Sequence, residues 1–309
     1  MVSVLMCPGQ GAQRVGMGRD LAERYRAARQ TFEAIDDALG VALSRIMWEG
    51  PETELTLTHN TQPAILAHSA AVWAVVKDRV ASGVRAAAGH SLGEYSAHVA
   101  AGSLGPTAAA RLVRRRGELM YAAGQQRPGA MAAVLGLATE LVDAACNEAS
   151  ASDGVAVAAN LNAPDQTVIS GDPAAVARAG ESCRARGARR VVPLKVSGAF
   201  HSPLMAPAVD GLHDALTDVD FADPAFPVVA NASAQPVRTG LDAKRLLLDQ
   251  LTAPVRWVGC MRAAAELAPG ATFLEIGPGN VLTGLLKRIV PGVAALTLGT
   301  ADEVEAFLA

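Results

Sequence analysis

Val84-Arg85-Ala86-Ala87-Ala88-Gly89-His90-Ser91-Leu92-Gly93-Glu94-Tyr95-Ser96-Ala97-His98-Val99-Ala100-Ala101 is the stretch on which the reading of this chain turns. A run of small residues leads into Gly89–Gly93, which spells Gly-x-Ser-x-Gly, and a helical sequence follows. Strand, sharp turn and helix together make the setting in which this pattern is a nucleophile elbow. The turn is strained and bulky neighbours would clash there, which accounts for the glycines. The Ser91 hydroxyl would stand at a helix N-terminus, with the Leu92 N–H aimed at a developing oxyanion. A plain Gly-rich turn can carry the same five residues, so it is the flanking strand and helix that make the case.

The bulk properties narrow the classes. The chain has 309 residues, enough for one large domain or two modest ones. Half of it is hydrophobic, so a full core can form, and the scarcity of aromatics suits helices packed on a sheet of small residues. A net charge of −3 argues against a nucleic-acid binder. No run approaches a membrane span. Met1–Met6 lacks the basic start of a signal peptide and reads as a first buried strand, so a cytoplasmic location is expected. Cys7, Cys146, Cys183 and Cys260 are far apart and form no metal-type pair; reduced thiols and no metal site are expected.

Strand-like segments alternating with amphipathic helices over residues 1–120 suggest an α/β fold with a parallel sheet. One helix is expected from about Gln62 to Val80. The middle of the chain reads as strand Ala130–Leu137, helix Thr139–Ala149, strands Val155–Asn160 and Gln166–Ser170, helix Pro173–Arg186 and strand Arg190–Val196. This βαββαβ order is the ferredoxin-like pattern, so residues 126–196 are read as a small inserted subdomain. Residues 1–125 and 197–309 would form the large domain, with further strands near Pro227–Asn231 and Thr272–Ile276. The cleft between the two units is a natural substrate site.

A serine nucleophile needs a base. Of six histidines, His201 stands out because Ser197-Gly198-Ala199-Phe200-His201-Ser202-Pro203 is a loop at the return from the insert, and junction loops carry function. His90, adjacent to Ser91, points away and would shape the pocket wall. His59, His68, His98 and His213 fall in or beside helices, where core or surface roles are the default. Pro8-Gly9-Gln10-Gly11-Ala12-Gln13 ends the first strand, and its glycines would let the Gln10 N–H approach a ligand. It is neither a dinucleotide fingerprint nor a Walker loop. After Pro106 an apolar stripe of Ala109, Leu112, Val113, Leu119, Met120 and Ala123 has Arg116 in its middle. A guanidinium there needs an anion. Glu94 is one option, as an internal salt bridge; a carboxylate on the substrate, held by the planar fork, is the other. Asn60-Thr61-Gln62-Pro63 and Glu275-Ile276-Gly277-Pro278-Gly279 are candidate site walls. Each could equally be a turn made for packing.

Together these segments, with Arg116-Gly117 and Gly198–Met205, resemble the malonyl-CoA:acyl carrier protein transacylases and the related acyltransferase domains of polyketide synthases. The resemblance spans residues 4 to about 290. It implies an α/β-hydrolase-like large domain with a ferredoxin-like insert. By the same resemblance Ser91 is the malonyl-accepting nucleophile and His201 its base, oriented by a backbone carbonyl near Gln250. The Gln10 and Leu92 N–H groups form the oxyanion hole, and Arg116 clamps the malonyl carboxylate. Phe200, His90, Asn160 and Gln62 complete the substrate-binding set, Phe200 filling the space of an α-methyl group. The partners implied are malonyl-CoA and an acyl carrier protein. No cofactor is implied beyond the coenzyme A thioester that is itself substrate. Fatty-acid synthesis, trans-acting polyketide loading and malonate decarboxylation all use such enzymes; a serine esterase is the rival chemistry. Two positions depart from the family pattern, Cys7 before Pro-Gly-Gln-Gly and His98 after the elbow. Arg189, Arg190, Lys195, Lys287 and Arg288 form a candidate basic patch for an acidic carrier.

Overall fold

The computed structural model describes residues 1–309, the side chain of Ser152 apart. Its ten strands are β1 (Ser3–Cys7), β2 (Val84–Gly89), β3 (Ala130–Leu135), β4 (Ala156–Ala163), β5 (Gln166–Gly171), β6 (Arg190–Pro193), β7 (Val228–Val229), β8 (Pro236–Val237), β9 (Thr272–Ile276) and β10 (Ala295–Leu298). Six form a sheet of order β10-β9-β1-β2-β7-β8, parallel except for the β7–β8 edge pair. The alternation of side chains sends Leu5, Cys7 and Ala87 to one face and Val4, Met6, Ala86 and Ala88 to the other. Both faces are covered. Helices Thr58–Val80, Gly93–Ala100 and Pro106–Gln126 pack on the first, and Trp257–Leu267 and Val281–Ile289 on the second. A parallel sheet buried on both sides needs apolar residues without alternation, and that is what Val4–Cys7 of β1 and Ala86–Ala88 of β2 supply.

The other four strands form an antiparallel sheet of order β4-β5-β3-β6, drawn from residues 130–193. Helices Thr139–Ser152 and Pro173–Ala185 cover one face through Val142, Cys146, Val176 and Cys183. From the opposite side Met131 and Asn160 reach the cavity that holds Ser91. The small sheet also joins the rest of the molecule directly. The Val255 N–H donates to the Ala159 carbonyl at 2.8 Å, and the Leu161 N–H to the Val255 carbonyl at 2.9 Å. No helix is long and apolar enough to cross a membrane.

Several expectations need correction. The alternation over residues 1–120 is sparse: β1 and β2 are the two strands there, each followed by helices, which fill Arg19–Val80 between them. The helix expected from Gln62 starts at Thr58. Pro63 therefore lies inside the helix and not at its start. Asn60 and Thr61 turn their side chains back to the Glu54 and Leu55 carbonyls, so they do not face the cleft. The strand expected to run to Val196 ends at Pro193, and Leu194 and Val196 line the Ser91 cavity instead. The strand expected over Pro227–Asn231 pairs only at Val228 and Val229, because Asn231 is diverted to the elbow.

The junction between β1 and the elbow leaves no spare room. A Cβ on Gly89 would fall 1.9 Å from the Gly93 carbonyl carbon, one on Gly93 2.2 Å from the Cys7 carbonyl oxygen, and one on Gly9 2.4 Å from the His90 carbonyl oxygen. These are contacts with backbone, which cannot swing aside. Gly93→Ala should therefore lower stability by about 2–3 kcal/mol, the cost of overpacking a rigid site. Urea unfolding midpoints would measure it; an unchanged midpoint would mean that the strand end and the helix can separate freely.

Candidate active site

The elbow places Ser91 between β2 and helix Gly93–Ala100, at a φ of 52° that side chains other than glycine rarely adopt. The strain is held by hydrogen bonds. The Ser91 N–H donates to Asn231 Oδ1 at 2.7 Å, and Asn231 Nδ2 returns a bond to the Gly89 carbonyl at 2.8 Å. The N–H groups of His90, Gly93 and Glu94 are engaged by the carbonyls of Cys7, His90 and Ser91. Leu92 is thus left with the N–H at the elbow that can meet a ligand, and it lines the same cavity as Ser91.

His201 also sits at a positive φ, 56°, in the turn just before the short helix Pro203–Ala208. Ser91 and His201 are both in the left-handed region, a concentration of strain typical of functional sites. Ser91 Oγ and His201 Nε2 are 2.7 Å apart, and His201 Nδ1 lies 3.0 Å from the Gln250 carbonyl oxygen. That carbonyl only accepts, so the ring proton is on Nδ1 and Nε2 is free to accept from the serine hydroxyl. Burial, and next the nearby Arg116 guanidinium, hold the imidazole pKa down to about 3, so it is neutral and ready as a base.

Arg116 is buried at 1% exposure. Its Nη1 donates to Gln62 Oε1 at 2.8 Å, and its Nη2 to Gln250 Oε1 at 2.9 Å and to Ser91 Oγ at 3.2 Å. The guanidinium carbon lies 5.7 Å from the Tyr95 ring centroid. Nε has no partner. Among the described residues no carboxylate forms an ion pair with Arg116, so the salt bridge to Glu94 weighed from sequence is not found. Gln250 stands between them: its Nε2 donates to Glu94 Oε2 at 2.7 Å and to the Ser91 carbonyl at 3.0 Å. Burial pushes the Glu94 carboxyl up to about 7, against the pull of Asn231, Gln250 and Arg116.

Gln10, His90, Ser91, Leu92, Arg116, Asn160, Phe200 and His201 line one cavity of about 120 Å³ with Met120, Met131, Leu194 and Val196. Gln62 and Gln250 meet it through Arg116 and His201. The His90 ring lies tilted against Trp257, centroids 5.5 Å apart, and its Nε2 lies 2.8 Å from Asn162 Oδ1, which suits a wall and leaves it away from the Ser91 hydroxyl. A second cavity shares Gln10 and His90 with the first and is lined by Pro8–Ala12, Asn162, Gln166, Val281, Leu282 and Leu285. Glu275 does not face either one. It accepts from the Leu282 and Thr283 N–H groups and so starts the helix Val281–Ile289. Of the basic patch, Arg189, Arg190 and Arg288 come together beside Asp165 and Gln166. Lys195 and Lys287 do not join them there, and Asp165 pairs with two of the three arginines. A roomier cavity of about 510 Å³, between Phe32 and Trp48, holds none of this chemistry.

Sequence reasoning missed Asn231. A polar residue at the end of a strand beside the elbow strand was the available signal, since sites of open α/β sheets gather at strand C-termini.

Comparison with known proteins follows the same lines. Residues 4–299 match the family model described as the acyl transferase domain. The chain is 42% identical over 301 residues to the malonyl CoA-acyl carrier protein transacylase of Bacillus subtilis, covering 96% of this chain and 93% of that protein. The acyl-carrier-protein-S-malonyltransferase of Bartonella henselae superposes with a TM-score of 0.94 at 44% identity, covering 100% of this chain and 98% of that one. A malonyl-transacylase solved in complex with its type II PKS acyl-carrier protein gives 0.94 at 42% identity, over 99% of this chain and 98% of that one. The chain belongs to the acyl transferase domain family, among the malonyl-CoA:acyl carrier protein transacylases.

Proposed function

We propose that this enzyme moves a malonyl group from malonyl-CoA to the phosphopantetheine thiol of an acyl carrier protein, in two steps through an ester on Ser91. The observation that carries the reading is a buried guanidinium without a carboxylate partner, 3.2 Å from the hydroxyl of a serine paired with histidine.

In the first step Ser91 Oγ attacks the thioester carbonyl while His201 Nε2 takes its proton. The Gln10 and Leu92 N–H groups receive the oxyanion, a donor of this kind being worth about 3 kcal/mol. The intermediate collapses, the C–S bond breaks, and the leaving thiolate takes the proton from His201. In the second step the carrier thiol gives its proton to His201 and attacks the ester carbonyl. Ser91 leaves and recovers the proton. The malonyl carboxylate lies two bonds from that carbonyl carbon, within reach of Arg116. Its fork can take the carboxylate in exchange for the Ser91 contact. Phe200, Asn160, Gln62 and His90 would shape the acyl site, with Phe200 opposing an α-methyl branch. No bound cofactor or metal enters the scheme.

The same reading takes residues 1–125 and 197–309 as an α/β-hydrolase-like large domain and 126–196 as a ferredoxin-like insert. The strand order β4-β5-β3-β6 and the βαββαβ succession support the second part. Four buried free thiols fit work in the reducing cytoplasm. Carriers of fatty-acid and of polyketide synthesis both suit the chemistry.

Ser91→Ala should acquire no malonyl mass from malonyl-CoA, read by intact-protein mass spectrometry, while circular dichroism stays native. A malonylated variant would mean another nucleophile.

Arg116→Ala should slow malonyl loading by about 10²–10³-fold, the cost of leaving a carboxylate without its buried partner. Acetyl loading should be equal or faster, because the native cation is left unpaired by acetyl. Paired single-turnover rates decide it. An equal loss for both substrates would make Arg116 a structural residue and restore the esterase reading.

The depressed His201 pKa sets the pH dependence. A base whose pKa lies below the ordinary value stays unprotonated as pH falls through that value, and is lost only near its own. Malonyl loading should therefore drop less than about threefold between pH about 7.5 and about 5.5, where an ordinary histidine would lose about tenfold. Glu94 gains its proton in this window, which removes an anion near Arg116 and leaves the base untouched. A midpoint near 6.5 in the single-turnover rate would show that His201 is exposed to solvent during loading.

A further inference from the structure

Glu94 has no exposed surface and takes no part in the scheme above. It projects from the first turn of helix Gly93–Ala100, three residues after the nucleophile. Both of its hydrogen bonds converge on one oxygen. Oε2 accepts from the Asn231 N–H at 3.0 Å and from Gln250 Nε2 at 2.7 Å, while Oε1 has no partner. Each donor is the near end of a strut. Asn231 runs on to the Ser91 N–H and the Gly89 carbonyl, which are the two ends of the strained turn. Gln250 runs on to the Ser91 carbonyl through Nε2 and to Arg116 Nη2 through Oε1.

The Gln250 amide has one workable orientation. With Nε2 toward Glu94 and Ser91, both of its protons meet acceptors, and Oε1 meets a guanidinium that can only donate. Turned over, the amide would set its oxygen against a carboxylate and a carbonyl, and its NH₂ against the guanidinium. The Glu94 oxygen imposes this choice together with the Ser91 carbonyl and the guanidinium, and it does so as an acceptor whatever its charge. The charge on Arg116 is therefore met by a neutral oxygen, which leaves the guanidinium unneutralised and its Nε free.

We propose that Glu94 is a specificity-determining positioning residue: through Gln250 it holds Arg116 in place for an acyl carboxylate, and through Asn231 it locks the Ser91 elbow. The proposal rests on the reading of Arg116 as the malonyl clamp. Glu94 touches no reacting atom, so its signature is a change in substrate preference that follows geometry and is insensitive to its charge.

The test is the ratio of malonyl to acetyl single-turnover loading rates in the full chain. Glu94→Gln keeps an oxygen able to accept from both donors and should leave the ratio within about threefold of the native value. Glu94→Ala removes the acceptor, strands two buried donors and should flatten the ratio by about tenfold. Gln250→Leu keeps the backbone carbonyl that holds His201, removes the amide, and should flatten the ratio to the same degree. The double variant Glu94→Ala/Gln250→Leu should change the ratio no further, because Arg116 is held through the one strut that both changes cut, while the Asn231 strut that Glu94→Ala also cuts acts on the Ser91 elbow and so on both substrates alike. Should Glu94→Ala not fold, Gln250→Leu and Glu94→Gln carry the test. The proposal is overturned if Glu94→Gln flattens the ratio as much as Glu94→Ala, if Gln250→Leu leaves it unchanged, or if the double variant is additive. Arg116→Ala serves as the control. Equal loss of both substrates there removes the clamp itself, whereas a flattened ratio there with a native ratio in Gln250→Leu removes only the role of Glu94.

Discussion

The close approach of two backbones, the end of β1 and the turn after β2, is the constraint on which the rest of the structure depends. The Cys7 carbonyl, the Gly89–Gly93 turn and Gly9 share a space that admits no Cβ. The approach drives Ser91 to a left-handed conformation, presents its hydroxyl to the cavity, and brings Gln10 beside Leu92. It also explains the composition of the central strands. Ala86, Ala87 and Ala88 leave room for helices on both faces while the turn above them stays tight. Strain of this kind, about 1–3 kcal/mol for each such residue, persists only where surrounding contacts over-determine it. Here the contacts are the Asn231 bonds to the Ser91 N–H and the Gly89 carbonyl.

A second constraint is electrostatic. A cation buried at 1% exposure carries a desolvation penalty of several kcal/mol unless it is paired. The fold spreads that penalty over two glutamine oxygens, the serine hydroxyl and the Tyr95 ring. None of these is an anion. The arrangement keeps the charge in place without neutralising it, which is the basis for proposing Arg116 as the clamp of an acyl carboxylate. A direct Glu94 salt bridge would have neutralised the guanidinium. Gln250 prevents it by occupying the space between the two charged groups while hydrogen bonding to both.

Much of this was legible in the sequence, and the reasons differ by residue. Ser91 was readable because the turn needs its glycines in fixed positions. Arg116 was readable because a charge in the middle of an apolar stripe violates the period. His201 rested on its place at a junction between units. All three meet at one cavity, and Gln10, Leu92, Asn160 and Phe200 reach it too. The βαββαβ succession was also readable, since each element there has its own apolar pattern. The illegible parts are those where backbone atoms do the binding. Asn231 acts on an N–H and a carbonyl and leaves no pattern of side chains to find, and Glu94, named from sequence as a partner for Arg116, is met instead by Gln250, to which no spacing links it. The helix Thr58–Val80 was misjudged at its start because helix Thr58–Val80 is buried on nearly every side and has no single polar face to mark its limits.

The positive φ of His201 ties these points together. Nothing in Gly198-Ala199-Phe200-His201 demands it, and no glycine marks it. It arises because the ring must reach Ser91 Oγ with one nitrogen and the Gln250 carbonyl with the other, from a chain returning out of the small sheet. Gln250 is thus read twice, its backbone oxygen fixing the tautomer of His201 and its side-chain amide meeting Arg116. One residue at the end of helix Gly240–Asp249 couples the proposed base to the proposed clamp. A shift of that helix end would disturb both together, so the packing of Leu246 and Leu247 beneath it is part of the active site as much as of the core.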